Sequence, residues 1–69
     1  MDIYIYDFLN YHDGTANRLV IKMNDSGEET LFNGKLYQFL SDCDSKFEDY
    51  LVYKFESDGK TLTLYVYYG

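Results

Sequence analysis

Phe47 to Tyr68 reads FEDYLVYKFESDGKTLTLYVYY, two runs of alternating residues joined by Asp58-Gly59. An Asp-Gly pair between runs rich in aromatic and β-branched residues is a strong signal for a β-hairpin, because both central positions of a type I′ turn need positive φ. A two-residue loop fixes the pairing of the two strands. It predicts one aromatic and aliphatic core face made of three cross-strand pairs: Phe55 with Leu62, Tyr53 with Leu64, and Leu51 with Val66.

The second face of this hairpin is amphipathic. It would pair Glu56 with Thr61, Lys54 with Thr63, Val52 with Tyr65, and Tyr50 with Tyr67. Tyrosine is enriched at protein interfaces, because it combines apolar area with a hydrogen-bonding tip. Two interpretations stay open: Tyr50, Tyr65 and Tyr67 form an exposed binding surface, or a helix covers this face and the core face is the other one.

The first half of the chain favours three further strands. Residues Asp2 to Leu9 are apolar on both faces of an extended chain, which indicates a central strand. Arg18 to Met23 alternates as a second strand, and the turn residues from 24 to 27 lead into a short third strand, Glu28 to Phe32. Glutamates in the third strand favour a position at the edge of the sheet.

A change of period after the third strand predicts a helix from Asn33 to Cys43. Leu36, Phe39, Leu40 and Cys43 follow the spacing i, i+3, i+4, i+7 of an apolar helical stripe, with Asn33 as the N-cap. The element order is then β-β-β-α-β-β. The sequence therefore predicts an α+β domain, with an antiparallel sheet of about five strands and one helix packed on one face.

Size and composition indicate one domain, residues 1–69, with 46% hydrophobic and 20% aromatic residues. The single cysteine, Cys43, cannot form an internal disulfide and fits a reducing compartment. The N-terminus has an acidic residue, Asp2, and no basic flank, so it does not resemble a signal peptide. Without an apolar run of membrane-spanning length, the expected location is the cytoplasm.

The formal net charge of -6 is the strongest compositional feature. It disfavours direct binding to nucleic acid, whose phosphates would be repelled, and to anionic membrane surfaces. Two explanations remain: the charge keeps a small domain soluble, or it serves a basic protein partner.

The acidic residues concentrate in two segments. The denser cluster is Asp42, Asp44, Glu48 and Asp49, and the second is Asp25, Glu28 and Glu29. Carboxylates at the C-terminus of the predicted helix oppose its macrodipole, so helix stability alone does not explain them. This favours a binding role for the first cluster, with a solvated turn as the alternative.

Metal binding is not expected. Asp42 and Asp44 begin a D-x-D pattern, but Lys46 stands where a third calcium ligand belongs and Phe47 where the glycine belongs. A zinc site needs more ligands than one cysteine and one histidine supply.

Catalysis and a cofactor are not expected either. His12 beside Asp13 is a turn residue in this interpretation, and Cys43 lies on the apolar helical stripe, where a buried thiol is inert. The chain has no glycine-rich phosphate loop and no nucleophile elbow.

In its small size, acidity and tyrosine content, the whole chain resembles the phage-encoded anti-CRISPR proteins of the DNA-mimic kind. Five strands, one helix and strong negative charge are similar to an inhibitor of type I-C surveillance complexes. The resemblance implies a monomer in the bacterial host cytoplasm that blocks a DNA-binding channel, at the subunit that reads the protospacer-adjacent motif.

The spacing of strand residues makes mimicry physically coherent. Alternate residues on a strand lie about 6.6 Å apart, close to the rise of two nucleotides at about 3.4 Å each. The alternative function is a small interaction module, such as a phage accessory or antitoxin-like protein, that binds a neutral surface. Salt dependence of binding separates the two.

Overall fold

A computed structural model describes residues 2–11, 16–24, 27–42 and 46–69, without the side chain of Asp42. Its elements, in chain order, are β1 (Ile3–Tyr4), α1 (Ile5–Tyr11), β2 (Arg18–Asn24), β3 (Glu28–Lys35), α2 (Leu36–Asp42), β4 (Tyr50–Ser57) and β5 (Thr61–Tyr68).

The five strands form one sheet in the order β1-β4-β5-β2-β3. Strands β2 and β5 pair in parallel, whereas the other neighbours are antiparallel. The α+β class, the five strands and the packing of a helix on the sheet are confirmed. The sheet is mixed rather than wholly antiparallel, because α2 carries the chain across from the β2-β3 hairpin and sets β5 beside β2 in the same direction.

The predicted first strand is wrong beyond Tyr4, where the chain turns into α1. Ile5 and Phe8 are buried and Leu9 is half-buried, which is the i, i+3, i+4 spacing of a helical stripe. A short apolar run fits both the helical and the extended period. Burial of this stripe against the sheet therefore decides between them.

The predicted helix begins later in the chain than expected. Strand β3 continues to Lys35, and α2 begins at Leu36 and ends at Asp42. Asn33 is not the N-cap, because it lies within β3 opposite Val20. Phe39 is fully buried as predicted, but Leu40 is 51% exposed, and Cys43 lies outside the described residues.

The turn of the β4-β5 hairpin lies one residue later in the chain than predicted. Asp58 N–H donates to the Thr61 carbonyl at 3.2 Å, which leaves Gly59 and Lys60 as the two central residues. The φ angle of Gly59 is 97°, and the φ angle of Lys60 is negative. A positive φ followed by a negative φ is the pattern of a type II′ turn. Phe55 consequently lies opposite Leu64 rather than Leu62.

An irregularity at Tyr53 shifts the register again, between Val52 and Lys54. Beyond it, Val52 lies opposite Val66 and is fully buried, whereas Leu51 lies opposite Tyr67 and Tyr53 is 41% exposed. The prediction of Leu51 and Tyr53 as core residues is therefore wrong. A β-bulge of this kind adds one residue to a strand and exchanges the faces of everything beyond it.

The core lies between the sheet and both helices. Leu62, Leu64 and Val66 are buried on the face predicted for β5. Phe39 in α2 is the centre of the aromatic packing, with ring centroids 5.5 Å from Tyr6, 5.1 Å from Phe32 and 5.7 Å from Phe47. The helices cover the face of the sheet that carries Leu62, Leu64 and Val66. The face with Tyr65 and Tyr67 is therefore open, which decides which face of the hairpin is the core.

The Asp58 carboxylate organises the β4-β5 turn. Its Oδ1 accepts hydrogen bonds from the Thr61 N–H at 2.8 Å and the Lys60 N–H at 3.2 Å. These bonds, the Thr61 bond foremost, lower the pKa of Asp58 below its ordinary value, because they favour the charged form.

We expect Asp58→Asn to lower the melting temperature at neutral pH and to lose that effect in acid. A lowered folded-state pKa adds stability above the unfolded pKa of about 3.9, and this stability is lost as pH falls through the folded value. The difference in melting temperature between wild type and variant, followed by circular dichroism from neutral pH downward, should shrink below about pH 4. A difference that stays constant with pH would contradict this role.

Candidate partner-binding site

The fold brings the two acidic segments to the same end of the sheet, where β2 and β5 finish and β3 and β4 begin. We call this the acidic end and define it by Glu28, Glu29, Glu48 and Asp49. Glu28 is the first residue of β3, and Asp49 immediately precedes β4. Strands β4 and β3 are separated in the sheet by β5 and β2. Three strand spacings of roughly 4.8 Å separate the backbones of the two strands that carry the acidic groups by about 14 Å.

Within the described residues, most carboxylates of the acidic end form no ion pair. Glu28 forms an ion pair with Lys22, with Nζ and Oε1 3.3 Å apart. Glu29, Glu48 and Asp49 are exposed, and within the described residues none of them forms an ion pair. Their carboxylates are therefore available to a positively charged partner.

The structure describes only the backbone of one further predicted acid and neither of the other two. Asp42 is the last residue of α2 that the structure describes, and α2 has no basic residue in its last turn. Asp25 and Asp44 lie outside the described residues. Whether these acids contact a partner stays a prediction.

A pocket of about 460 Å³ opens at the same end of the sheet. Its lining residues are Met23, Asn24, Tyr50, Tyr53, Val66, Tyr67 and Tyr68. Two of the tyrosine pairs are in ring contact: Tyr50 and Tyr68 have centroids 5.3 Å apart at 85°, and Tyr53 and Tyr67 have centroids 6.1 Å apart at 42°. We call this the tyrosine pocket.

The hydroxyl of Tyr67 donates to Asp2 Oδ1 at 3.0 Å. This bond to a carboxylate raises the pKa of Tyr67 above its ordinary value, because it favours the neutral phenol. It also places one more negative charge at the rim of the tyrosine pocket.

The three predicted site tyrosines do not lie together. Tyr50 and Tyr67 both line the pocket, although the bulge places Tyr50 opposite Tyr68 on the helix-covered face rather than opposite Tyr67. Tyr65 lies elsewhere on the open face, with Lys54 Nζ 5.1 Å from its ring centroid. The expectation that Tyr50 shares a face with Tyr65 and Tyr67 is therefore wrong.

Sequence reasoning missed Asp2, Tyr53 and Tyr68 as members of the site. Asp2 precedes the two-residue strand β1, which pairs with β4 at Tyr4 opposite Leu51. No turn joins β1 to β4, so no local signal in the sequence specifies that pairing. Tyr53 reaches the pocket through the bulge, which the alternating pattern of β4 does not reveal.

The other functional expectations concern metals, catalysis and membranes. Among the described residues, no group of histidine, cysteine or acidic side chains is arranged to hold a metal ion. His12, Asp13 and Cys43, the only candidates for catalysis, lie outside those residues. In the part of the chain that is described, no helix is long and apolar enough to cross a membrane.

Comparisons with protein families, with characterised proteins and with solved structures find no match to this chain.

Proposed function

We propose that this protein is a non-enzymatic inhibitor that acts as a DNA mimic, with its acidic end in the basic DNA channel of a partner. The observation that carries the proposal is the convergence at that end of two acidic segments from distant parts of the sequence. Glu29, Glu48 and Asp49 remain without an ion pair there, within the described residues. Unpaired carboxylates on ordered turns complement a Lys/Arg groove.

The size of the acidic end suits this role. The strands that carry its two acidic groups are about 14 Å apart, with two strands between them. The major groove of B-DNA, across which phosphates of the two strands face each other, is about 12 Å wide. A channel lined by cations for those phosphates can therefore contact both groups at once.

The tyrosine pocket supplies the apolar contacts that charge alone lacks. Arginine and lysine side chains bind over aromatic rings, and the attraction grows when the pair is removed from water. Aromatic pockets also supply a large share of the binding energy in protein interfaces. With Asp2 at its rim, the pocket suits an arginine or lysine side chain of the partner.

The resemblance to DNA-mimic anti-CRISPR proteins directs the choice of partner to a bacterial type I-C surveillance complex. The contact would be made with the subunit that reads the protospacer-adjacent motif, since that subunit binds duplex DNA. Inhibition of this kind needs neither a metal nor a cofactor.

An interaction module for a neutral surface is the second candidate. It is favoured by an apolar groove of about 270 Å³ lined by Ala16, Asn17, Leu36, Tyr37 and Leu40. Tyr37 is 66% exposed and Leu40 51% exposed. Binding through this groove would not depend on the acidic end.

The test measures displacement of labelled duplex target DNA from a purified type I-C surveillance complex. We expect competitive displacement, with an affinity that falls at least about tenfold between about 50 and 300 mM salt, because screening weakens contacts between exposed charges. Binding that does not depend on salt, or that leaves the DNA in place, would support the neutral-surface module instead. Absence of binding at the lower salt concentration would contradict the proposal for this complex.

A further inference from the structure

The end of the sheet opposite the acidic end carries a small basic groove. Its volume is about 290 Å³, and its lining residues are Asn17, Arg18, Lys35 and Tyr37. Arg18 begins β2 and lies directly opposite Lys35, the last residue of β3. The Leu36 N–H donates to the Asn17 carbonyl at 3.0 Å, which fixes the start of α2 beside the groove.

The two cations of this groove form a like-charge pair across neighbouring strands, an arrangement that destabilises a sheet. The other two cations of the strands each have a carboxylate nearby: Lys22 lies 3.3 Å from Glu28, and Lys54 lies 3.5 Å from Glu56. Arg18 and Lys35 have no ion pair within the described residues. Arg18 Nη2 instead donates to the neutral Asn33 Oδ1 at 2.8 Å, which orients the guanidinium without neutralising it.

We propose that this groove binds the phosphate group of a mononucleotide. Guanidinium and ammonium groups are the preferred partners of phosphate oxygens, and the Asn17 amide can add a hydrogen bond. Tyr37 is 66% exposed and lies beside Lys35, whose Nζ is 5.8 Å from the ring centroid. A nucleotide whose phosphate contacts Arg18 and Lys35 can stack its base on the Tyr37 ring.

The net charge of -6 does not prevent this binding. Strand β2 spans seven residues, about 23 Å, whereas the Debye length is about 8 Å at physiological salt. The acidic end is therefore screened from the groove. Nearby, the Lys60 carbonyl accepts hydrogen bonds from the backbone N–H groups of Asn17 and Arg18 at 3.0 and 3.1 Å, so the turn that carries Lys60 adjoins the groove.

One acid, Asp58, belongs to the same turn as Lys60. Its carboxylate accepts two backbone N–H groups of that turn, which offset part of its charge. A long polyanion would extend toward the acidic end and be repelled there. The groove thus suits a single nucleotide better than a nucleic acid strand.

The test uses nuclear magnetic resonance titration of the protein with adenosine 5′-monophosphate, and separately with inorganic phosphate and with adenosine. We expect saturable shifts at Asn17, Arg18 and Lys35 with the nucleotide, and binding at least about tenfold weaker with adenosine, which lacks the phosphate. Inorganic phosphate should compete for the same residues. Tyr37→Ala should weaken nucleotide binding but leave phosphate binding unchanged.

A matched pair of variants tests the position of the charge. Lys35→Gln and Lys46→Gln remove the same charge, but Lys46 lies away from the groove, with its Nζ 5.6 Å from the Phe47 ring centroid. We expect Lys35→Gln to weaken nucleotide binding about tenfold or more and Lys46→Gln to leave it unchanged. Because Lys35→Gln also removes the like-charge pair, it should not lower the melting temperature of the free protein. Equal weakening by both variants, or no saturable shift in the groove at millimolar nucleotide, would overturn the proposal.

Discussion

Phe39→Ala is expected to cost about 3–5 kcal/mol of unfolding free energy, the range for removal of a buried aromatic side chain. Phe39 is fully buried, and its ring contacts Tyr6, Phe32 and Phe47, which belong to α1, β3 and the segment before β4. A domain of 69 residues has a total stability of roughly 3–10 kcal/mol. The variant should therefore lose about a third or more of the total stability of the domain.

Urea denaturation followed by tyrosine fluorescence measures this loss, with Phe55→Ala as the control. Phe55 is also an aromatic residue on the helix-covered face, with its ring centroid 5.1 Å from Phe8, but it is 45% exposed. The control should cost less than half as much, because part of its surface already contacts water. Similar costs for the two variants would mean that the core is centred on the hairpin rather than on α2.

The pattern of the β4-β5 hairpin predicted its existence, its two strands and the core face of β5. The sequence signal failed at the turn, because Asp58 bonds to the backbone N–H groups of the turn and leaves Gly59 as the first central residue. It failed again at Tyr53, since an alternating run looks the same with or without a bulge. Val52 rather than Leu51 consequently enters the core.

The N-terminal segment shows a different limit of sequence reasoning. The run from Ile3 to Leu9 is apolar at most positions, so it fits an extended strand with two apolar faces as well as the helical spacing of Ile5, Phe8 and Leu9. The choice is made by tertiary contacts: β1 pairs with β4 for two residues, and α1 then packs Phe8 against Phe55. Those contacts are distant in sequence, so local patterns do not encode them.

The sequence predicted which charged residues belong to the candidate site, but not that they lie close together in the fold. The acidic segments are visible as composition, yet their meeting at one end of the sheet follows from the strand order and from the parallel pairing of β2 with β5. The basic groove at the other end has the same origin. Arg18 and Lys35 become opposite neighbours only when β3 extends to residue 35, three residues past its predicted end.

Neutralising the acidic end is expected to have the largest effect on partner binding. Glu48→Gln combined with Asp49→Asn should weaken binding to the basic partner by about 1–3 kcal/mol for each close charge pair that is lost. Both side chains are exposed, and the substitutions nearly preserve their shape, so the fold should remain intact. Isothermal titration calorimetry with the surveillance complex, at about 50 mM salt, measures the change.

The matched control is Glu56→Gln combined with Asp58→Asn, near the opposite end of the sheet. Because Asp58→Asn is expected to lower the melting temperature, both double variants are compared at a temperature at which circular dichroism shows them folded. Each double variant has a net charge of -4 in place of -6, so long-range attraction to a basic partner falls equally in both. Only the position of the lost charges differs, because β4 begins beside Asp49 and ends beside Asp58. If the acidic end contacts the partner, the first variant loses direct charge contacts as well as long-range attraction. The control then loses only the long-range attraction, which salt screens. Equal losses would show that net charge alone attracts the partner, and the acidic end would then have no specific role in recognition.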